Sequence, residues 1–255
     1  MKTIAVICAY NESNTVTDIV HGTDRVLKEY GGDYGIIVVD DGSTDGTYEK
    51  LIDLKSEIPY LKVIQHRKNR GYGAAMCTGL LETKKEKPSQ FVTLDADGQH
   101  NPGEIPKLLD ALNEADLVIG SPVKTKDKCY GALKNIWRKG FTFLINSLYP
   151  FNKLSYTTGG MKAGNSIALN VIDLPSYMDG FSPSEIMVLK ASLKKLRIVN
   201  VPVVYQERKG GRSFINLSYP LMNIPMIGLI LITEILRQSF YGLPGTAHRY
   251  NDRQG

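Results

Sequence analysis

Two carboxylates lie one residue apart at the end of an apolar run in the first half of the chain. The run 91–94 is typical of a strand in a buried sheet, and Asp95 and Asp97 follow it. Such a strand delivers both side chains to the carboxyl edge of the sheet, where open α/β folds bind their ligands. Two close carboxylates repel each other, and with Gln99 they offer the hard oxygen ligands that suit Mg²⁺ or Mn²⁺. These ions favour phosphate oxygens as their remaining ligands, so the stretch predicts a metal-diphosphate site.

The same stretch also fits a plainer interpretation, in which a solvated turn caps the next helix. Asn101-Pro102 is a favourable pair for the N-cap and the first position of a helix. His100 is interpreted as a loop residue rather than as a ligand.

Apolar runs and helical patterns alternate along the first half of the chain, which is typical of βαβ units and a mostly parallel sheet. We predict strands at 4–9, 34–39, 61–65, 91–94 and 117–119, and helical spacing at 16–30, 48–54, 73–85 and 105–112. The second half is less regular, with helices predicted at 130–148 and 182–195 and strands at 161–163 and 198–205. The expected architecture is an α/β fold with a central sheet flanked by helices, in one catalytic domain over 1–213 followed by an apolar, helical tail over 214–255.

Composition narrows the function classes. The 255 residues carry a net charge of +5, and basic side chains are mixed with acidic ones, which argues against a nucleic-acid arm but is compatible with an anionic ligand or a membrane surface. Cys8, Cys77 and Cys129 form no CxxC pair, so neither a zinc site nor a disulfide framework is indicated, and a reducing cytosol is the default compartment. The apolar run 4–9 is too short for the core of a signal peptide.

Polar loops follow the first three predicted strands, and parallel strands bring their carboxyl ends to one edge of the sheet. That edge could hold a nucleotide beside the two carboxylates. Tyr10 could stack on the base, Asp40 could accept a hydrogen bond from it, and Glu12 could hold the ribose hydroxyls. Gly71 and Gly73 would let the backbone approach the ligand closely. Taken singly, Tyr10 also fits packing at the rim, Asp40 a turn cap, and the glycines a helix entry.

Four motifs, taken in order, resemble the successive signatures of the inverting GT-A glycosyltransferases of family 2. They are Cys8-Ala-Tyr-Asn-Glu12, Val38-Val-Asp-Asp-Gly-Ser-Thr-Asp-Gly-Thr47, Asn69-Arg-Gly-Tyr-Gly-Ala-Ala75 and Leu94-Asp-Ala-Asp-Gly-Gln-His100. They most resemble the subgroup of dolichyl-phosphate mannose synthase-like enzymes, which transfer a sugar from a nucleotide donor to a polyprenyl phosphate. The likeness extends over residues 3–213 and continues through Gly120-Ser121, Thr158-Gly159-Gly160, Gly180-Phe181 with Glu185, and Arg208-x-x-Gly211-x-Ser213.

The resemblance implies a GT-A fold, a donor such as GDP-mannose or a UDP-hexose, a polyprenyl or dolichyl phosphate acceptor, and Mg²⁺ or Mn²⁺ as cofactor. It implies that Asp95, Asp97 and Gln99 meet the metal, that these residues and Ala96 meet the diphosphate, and that Arg208 lies against a donor or acceptor phosphate. Asp97 and Arg208 are the expected catalytic residues. The other substrate contacts that follow from it are Ala9, Tyr10, Glu12, Val38, Asp40, Asn69, Gly71 and Ser213.

Two positions depart from the family pattern. Pro122 stands where the family usually has an arginine after the Gly-Ser pair, and Phe214 stands where it tends to have a lysine. Lys124 or Lys126 could replace the first phosphate contact, although lysine is a mobile point charge rather than a bidentate fork. Arg212 could replace the second. These changes bear on the sugar and the acceptor more than on the fold.

The acceptor decides whether the reaction needs a base. A phosphate monoester, with a second pKa of about 6, is already largely ionised at neutral pH and needs little help. A saccharide hydroxyl would need a base, for which Glu185 is the candidate; otherwise this carboxylate serves the N-terminus of its helix. Two other function classes remain open. One is a sugar-1-phosphate nucleotidyltransferase, which normally opens with a glycine-rich phosphate loop, and the other is a non-catalytic protein that binds nucleotide sugars.

The tail bears on the location of the protein. Residues 214–233 carry no charged side chain, but asparagines and prolines interrupt them, so a clean transmembrane span is not expected. We predict an interfacial or partner-packed amphipathic segment beside the acceptor site, with an ordinary helix packed on the domain or on a second subunit as the alternative. The chain is therefore expected in the cytoplasm, with peripheral attachment to the cytoplasmic face of a membrane, a homodimer or a membrane partner as further expectations.

Overall fold

The computed structural model describes residues 1–123, 132–148, 151, 153–172, 183–206 and 224–233. The strands in these ranges are β1 (Lys2–Ala9), β2 (Asp33–Asp40), β3 (Leu61–Gln65), β4 (Gln90–Asp95), β5 (Leu117–Pro122), β6 (Lys162–Asn165) and β7 (Ile198–Val203). The helices are α1 (Val16–Tyr30), α2 (Thr47–Glu57), α3 (Tyr72–Lys85), α4 (Ile105–Asp110), α5 (Ala132–Leu148), α6 (Ser166–Val171) and α7 (Pro183–Leu193). Short 3-10 turns at Pro102–Glu104 and Ala111–Asn113 flank α4, and residues 224–233 form a further helix, called here the C-terminal helix.

Strands β1 to β4 pair in parallel within one sheet. Within the described residues the strand order is β3-β2-β1-β4-β6-β5-β7. β1 pairs in parallel with β2 and β4, and β2 pairs in parallel with β3. The register aligns Ala9 with Asp40 and Cys8 with Asp95. The polar loops after these strands therefore begin side by side at one edge of the sheet, which confirms the predicted convergence.

Local signals set the ends of helices in this half. α1 buries Val16, Val20 and Leu27 at helical spacing. It ends at Gly31, whose φ of 89° lies in a region that glycine adopts without strain. Before α4, the side chain of Asn101 accepts a hydrogen bond from the N–H of Gly103, so the interpretation of this residue as an N-cap is confirmed.

The second half of the sheet contains one reversed strand. The strand predicted at 161–163 is the four-residue β6, which pairs antiparallel with both β4 and β5. β5 and β7 pair in parallel, so the sheet is mostly parallel as predicted. Helix α6 was not predicted, and it follows β6 directly because the side chain of Asn165 caps it through the N–H of Ala168.

Helices cover both faces of the sheet. Alternate residues of β1 enter two separate hydrophobic clusters, so this strand is buried on both sides. α1, α2 and α4 supply Ile19, Leu51 and Ile105 to one cluster, and α3, α5 and α7 supply Met76, Phe141 and Ile186 to the other. Trp137 packs against the second cluster with its ring stacked 6.1 Å from that of Phe141.

The C-terminal helix is apolar on two sides. It buries Met226, Ile227 and Ile230 but exposes Ile224, Leu229 and Ile232. Together with α5 it lines an apolar groove of about 330 Å³. None of the helices in the described ranges has both the length and the apolar character needed to cross a membrane. Among the residues discussed from the sequence, Lys124, Lys126, Cys129, Gly180, Phe181, Gly211, Arg212 and Phe214 lie outside the described residues.

Candidate active site

The end of β4 places Asp95 at the carboxyl edge of the sheet. Its backbone N–H donates to Nδ1 of His100 at 2.9 Å, so the proton of this imidazole lies on Nε2. The 3.7 Å approach of His100 Nδ1 to Asp95 Oδ2 is therefore not an ion pair. Oδ1 of Asp95 is buried and has no hydrogen-bond partner among the described residues. A buried carboxylate oxygen without a partner is costly, and a cation at this point would satisfy it.

Asp97 lies in the turn that follows. It is 8% exposed, and its Oδ1 accepts a hydrogen bond from the N–H of Gln99 at 2.9 Å. Gly98 has a φ of 80°, which explains why glycine stands between these two residues. The turn is fixed to α1 because Thr15 Oγ1 donates to the carbonyl of Ala96 at 2.6 Å. Asp95, Ala96, Asp97 and Gln99 are therefore brought together as predicted.

The residues of this turn fit a hard divalent cation. Two carboxylates and an amide are oxygen donors of the kind that Mg²⁺ and Mn²⁺ prefer, and the unpartnered Oδ1 of Asp95 gives one of them an open position. No group of three or more His, Cys, Asp or Glu side chains in the described residues is arranged to hold a metal by itself. A metal here would consequently take its remaining ligands from substrate or water.

The loop after β1 is bound to the loop after β2 by a row of hydrogen bonds. The N–H of Asn11 donates to Ser43 Oγ at 2.9 Å, and its side-chain oxygen accepts from the N–H of Thr44 at 2.9 Å. The N–H of Glu12 donates to Thr47 Oγ1 at 2.9 Å. Asn11 adopts a φ of 55°, which asparagine tolerates better than most residues. The Ser, Thr and Asp positions of the second motif thus serve to hold Tyr10 and Glu12 in place.

Two predicted nucleoside contacts are deeply buried. Asp40 is fully buried, and its carboxylate accepts hydrogen bonds from the N–H of Ser43 and from Gln65 Nε2 at 3.1 Å. Its role as a turn cap is therefore evident in the structure. Val38 is likewise fully buried within β2. On the neighbouring strand β1, Ala9 lies opposite Asp40 and Ile7 lies opposite Val38.

A second buried carboxylate, Asp41, organises the loop after β3. Its Oδ1 accepts from His66 Nδ1 at 2.6 Å and from the N–H of Arg70 at 3.1 Å, and its Oδ2 accepts from the N–H of Gly71 at 2.7 Å. His66 Nε2 lies 2.9 Å from Thr78 Oγ1 on α3. This network was not predicted, because nothing in the spacing of the sequence links His66 to Asp41. It fixes the segment that carries Asn69 and Gly71, which were predicted to contact substrate.

The second half of the sheet adds a buried lysine that the sequence analysis missed. Lys162 is 1% exposed, and its Nζ donates to the carbonyl of Gly159 and to Ser184 Oγ. Burial lowers the pKa of Lys162 to about 8, although the nearby carboxylates of Glu185 and Asp95 act to raise it. Glu185 is 2% exposed in the first turn of α7. The only signal in the sequence was a lysine within a short predicted strand.

Two of the predicted site residues, Arg208 and Ser213, lie outside the described residues. The remaining predicted residues are present at or beside the carboxyl edge, with the exception of Glu185, which is buried in the first turn of α7 near Lys162. Their assignment to particular substrate groups stays a prediction.

The chain matches the sequence model of a known protein family. The family described as Glycosyl transferase family 2 matches residues 4–172, which is more than half of the chain. Over 230 residues the chain is 40% identical to the dolichol-phosphate mannosyltransferase of Pyrococcus furiosus, covering 84% of this chain but only 59% of that protein. It is 29% identical over 248 residues to the undecaprenyl-phosphate mannosyltransferase of Micrococcus luteus, covering 93% of this chain and 98% of that one.

Solved structures share the fold at lower identity. A mannosyltransferase from Pyrobaculum calidifontis in complex with GDP-Man and Mn²⁺ superposes with a TM-score of 0.59 at 17% identity, over 83% of this chain and 58% of that one. A glucosyl-3-phosphoglycerate synthase from Mycobacterium tuberculosis, with Mn²⁺, UDP-glucose and phosphoglyceric acid, gives 0.58 at 21% identity over 96% and 81%. These likenesses establish an α/β fold of the GT-A type.

Proposed function

The chain belongs to glycosyl transferase family 2, and on this premise we propose that it moves a sugar, with inversion, from a nucleoside-diphosphate sugar to a polyprenyl phosphate. The observation that carries the proposal is the turn 95–99, which gathers two carboxylates and leaves Asp95 Oδ1 buried without a partner among the described residues. The names of the relatives from Pyrococcus furiosus and Micrococcus luteus support the acceptor class.

The diphosphate of the donor would bind at this turn. Asp95, Asp97 and Gln99 would hold Mg²⁺ or Mn²⁺, and the Mn²⁺ in the related structures supports this choice. When bound, the ion would neutralise the charge that develops on the leaving nucleoside diphosphate. Ala96 would face the diphosphate through a backbone that Thr15 already fixes. Arg208 and Ser213 are proposed to contact phosphate oxygens.

The nucleoside would lie along the carboxyl ends of β1 and β2. Tyr10 and Glu12 are proposed to hold the base and the ribose, because the hydrogen bonds from Asn11 and Glu12 to the second loop fix their backbone in advance. Ala9, Val38 and Asp40 would form the floor, where hydrogen bonds from Ser43 and Gln65 already hold the carboxylate of Asp40. Asn69 and Gly71 would close the pocket from the loop that Asp41 holds.

The burial of Glu185 supports a phosphate acceptor. This carboxylate is 2% exposed and faces the ammonium of Lys162, a setting that suits a structural charge better than a base that must meet a hydroxyl. An ionised phosphate needs no base: its oxygen forms a bond to the anomeric carbon while the bond to the nucleoside diphosphate breaks on the opposite face. The electron pair of the broken bond leaves with the diphosphate.

An assay of donor turnover tests the proposal. The full chain is incubated with GDP-mannose, UDP-glucose or UDP-N-acetylglucosamine, with Mg²⁺ or Mn²⁺, and with and without a polyprenyl phosphate. We expect release of nucleoside diphosphate that depends on both the metal and the lipid phosphate, together with a lipid-linked sugar. Formation of a nucleoside triphosphate and a sugar 1-phosphate when pyrophosphate is added would favour a nucleotidyltransferase. Binding without turnover would favour a non-catalytic protein, and transfer to an added saccharide but not to the lipid phosphate would contradict the acceptor.

We also propose that residues 214–255, together with α5, lie against the cytoplasmic face of a membrane. On α5, Ile136 and Phe143 are 66% and 76% exposed and lie seven residues apart, on one side of the helix. On the C-terminal helix, which lines one groove together with α5, Ile224 and Ile232 are 55% and 57% exposed. Apolar side chains exposed in this way suit the boundary between headgroups and acyl chains, where a polyprenyl phosphate presents its headgroup.

Flotation with anionic lipid vesicles tests this attachment. We expect the full chain to float and the double variant Phe143→Glu and Ile232→Glu to remain at the bottom, because each change places a charge in the apolar boundary. Ile52→Glu is the matched control, since Ile52 is 41% exposed on α2 in the other half of the molecule. Equal behaviour of all three proteins would contradict the proposal, and a dimer that dissociates in the double variant would assign the surface to a second copy.

A further inference from the structure

Lys162 closes a buried polar triangle behind the carboxyl edge. Its Nζ donates both to the carbonyl of Gly159 and to Ser184 Oγ, and Ser184 Oγ donates to the same carbonyl at 2.7 Å. Two parts of the chain meet in this triangle: the turn that leads into strand β6, and the first turn of α7. A change at Lys162 therefore reaches both.

The turn that Lys162 holds presses directly on the site. A Cβ added at Gly160 would lie 2.9 Å from Asp95 Oδ2 and 2.8 Å from His100 Cε1, so the backbone there is already in close contact with both. Thr93 Oγ1, on β4, donates to the carbonyl of Gly160 at 2.9 Å. Movement of the turn would displace Asp95 or open a gap beside it.

The charge of Lys162 is expensive for the fold. A fully buried ammonium loses its hydration, and an apolar side chain of similar length would avoid that loss. The carboxylates whose charges act on it are Asp95, on the edge of the sheet, and Glu185, on α7. The lysine thus interacts both with the edge that carries the proposed donor site and with the first turn of α7.

We propose that Lys162 is a positioning residue for sugar transfer: its ammonium ties the Gly159-Gly160 turn and the first turn of α7 to the edge that carries Asp95. This inference rests on the proposed function, because positioning has meaning only for the reaction at that edge. Lys162 itself touches no reacting group in this assignment. It acts through the turn and through Ser184.

The test compares Lys162→Met, Ser184→Ala and the double variant with Lys28→Met, a control at an exposed lysine of α1. Hydrogen exchange is measured over 157–160 and 183–186, and transfer kinetics are measured with the donor and polyprenyl phosphate that the wild-type protein uses. In Lys162→Met we expect faster exchange in both segments and a fall in kcat of about tenfold or more, because small misplacements at a reacting centre are costly. The donor KM should change by less than about threefold, since the nucleoside loops are untouched.

Ser184→Ala should show faster exchange and a lower kcat in the same direction, but to a smaller extent. The double variant should behave like Lys162→Met, because both side chains act in the same triangle.

Several results would overturn the inference. Kinetics and exchange in Lys162→Met that match Lys28→Met would do so, as would full additivity in the double variant. If Lys162→Met fails to fold, Ser184→Ala decides: unchanged exchange at 157–160 with unchanged kcat overturns the proposal. Absence of turnover in the wild-type protein would contradict the proposed function but not the structural role of Lys162. In that case hydrogen exchange decides: unchanged exchange of Lys162→Met in both segments would overturn the role of Lys162.

Discussion

The two halves of the sheet contribute to the candidate site in different ways. In the first half, β1 to β4 run parallel, and each strand places its own following loop at the carboxyl edge. In the second half, β6 runs antiparallel between β4 and β5. It contributes the turn at Gly159-Gly160, which packs against Asp95, and the buried Lys162. The first half therefore presents side chains to a ligand, whereas the second half holds them in position.

In both halves, hydrogen bonds between residues far apart in the sequence hold the loops in place. The bonds that fix the first-half loops, such as those from Asn11 to Ser43 and from Glu12 to Thr47, join residues 32 and 35 positions apart. The bond from Thr93 to Gly160 spans 67 positions. Because the first half presents side chains to a ligand, substitutions there should alter ligand binding or chemistry directly. Substitutions in the second half should act through geometry.

The largest effect is expected for Asp97→Ala. Removal of this carboxylate should lower metal-dependent turnover about 1000-fold, as loss of a group that stabilises developing charge does elsewhere. The fold should persist, because Asp97 is held within its own turn through Gln99. The measurement is kcat/KM with Mn²⁺ alongside circular dichroism, and Asp53→Ala, at an exposed carboxylate of α2, is the control. Near wild-type turnover in Asp97→Ala would contradict the assignment of the metal to the turn 95–99.

A smaller effect is expected for Asp41→Asn. The amide cannot accept all the hydrogen bonds that now reach the carboxylate from His66, Arg70 and Gly71, so the free energy of unfolding should fall by about 3 kcal/mol. Urea unfolding measures this fall, with Asp53→Asn as the matched control. Hydrogen exchange should rise at 66–71 and stay unchanged at 157–160. A rise in the second segment would show that the two halves are not independent.

The same division explains what the sequence could predict. The register of β1, β2 and β4 follows from apolar runs with polar loops at their ends, so the convergence of Tyr10, Asp40 and Asp95 was predictable. The roles of His66 and Lys162 were not, because each depends on a partner that only the folded chain brings near. His66 reaches Asp41 across 25 positions, and Lys162 reaches Ser184 across 22, with no periodicity to link them. Short elements such as α6, six residues long and started by an Asn cap, also fall below what helical spacing can indicate.

Gly160→Ala should sharpen the contrast between the halves. The new methyl group would meet Asp95 Oδ2 and His100 Cε1 at under 3 Å, so the turn or the carboxylate must shift, at a cost of about 2 kcal/mol for overpacking. Metal-dependent turnover should fall along with stability. Gly140→Ala is the control, because a Cβ there, on the exposed side of α5, meets nothing within 4 Å and should leave stability equal or slightly higher. If both variants retain full activity, the second half does not position Asp95.

Tyr34→Phe should have the smallest effect and tests whether the first half is a rigid support. The hydroxyl of Tyr34 donates to Asp24 Oδ1 at 2.9 Å near the start of β2, at the opposite end of the strand from Asp40. Burial, followed by the bond to Asp24, raises the pKa of Tyr34 from 10.0 to about 12. Because the folded pKa is the higher one, this stabilisation is complete below the unfolded value and is lost as the pH rises towards the folded value. The variant should therefore be less stable by about 1 kcal/mol or less at neutral pH, and the difference should shrink between the two pKa values. Unfolding midpoints at pH values across this window measure the difference in stability.

Binding of nucleoside diphosphate to Tyr34→Phe should be unchanged, because the loops at the carboxyl edge are fixed by hydrogen bonds of their own. Weaker binding would mean that a change at one end of β2 reaches the site at the other end.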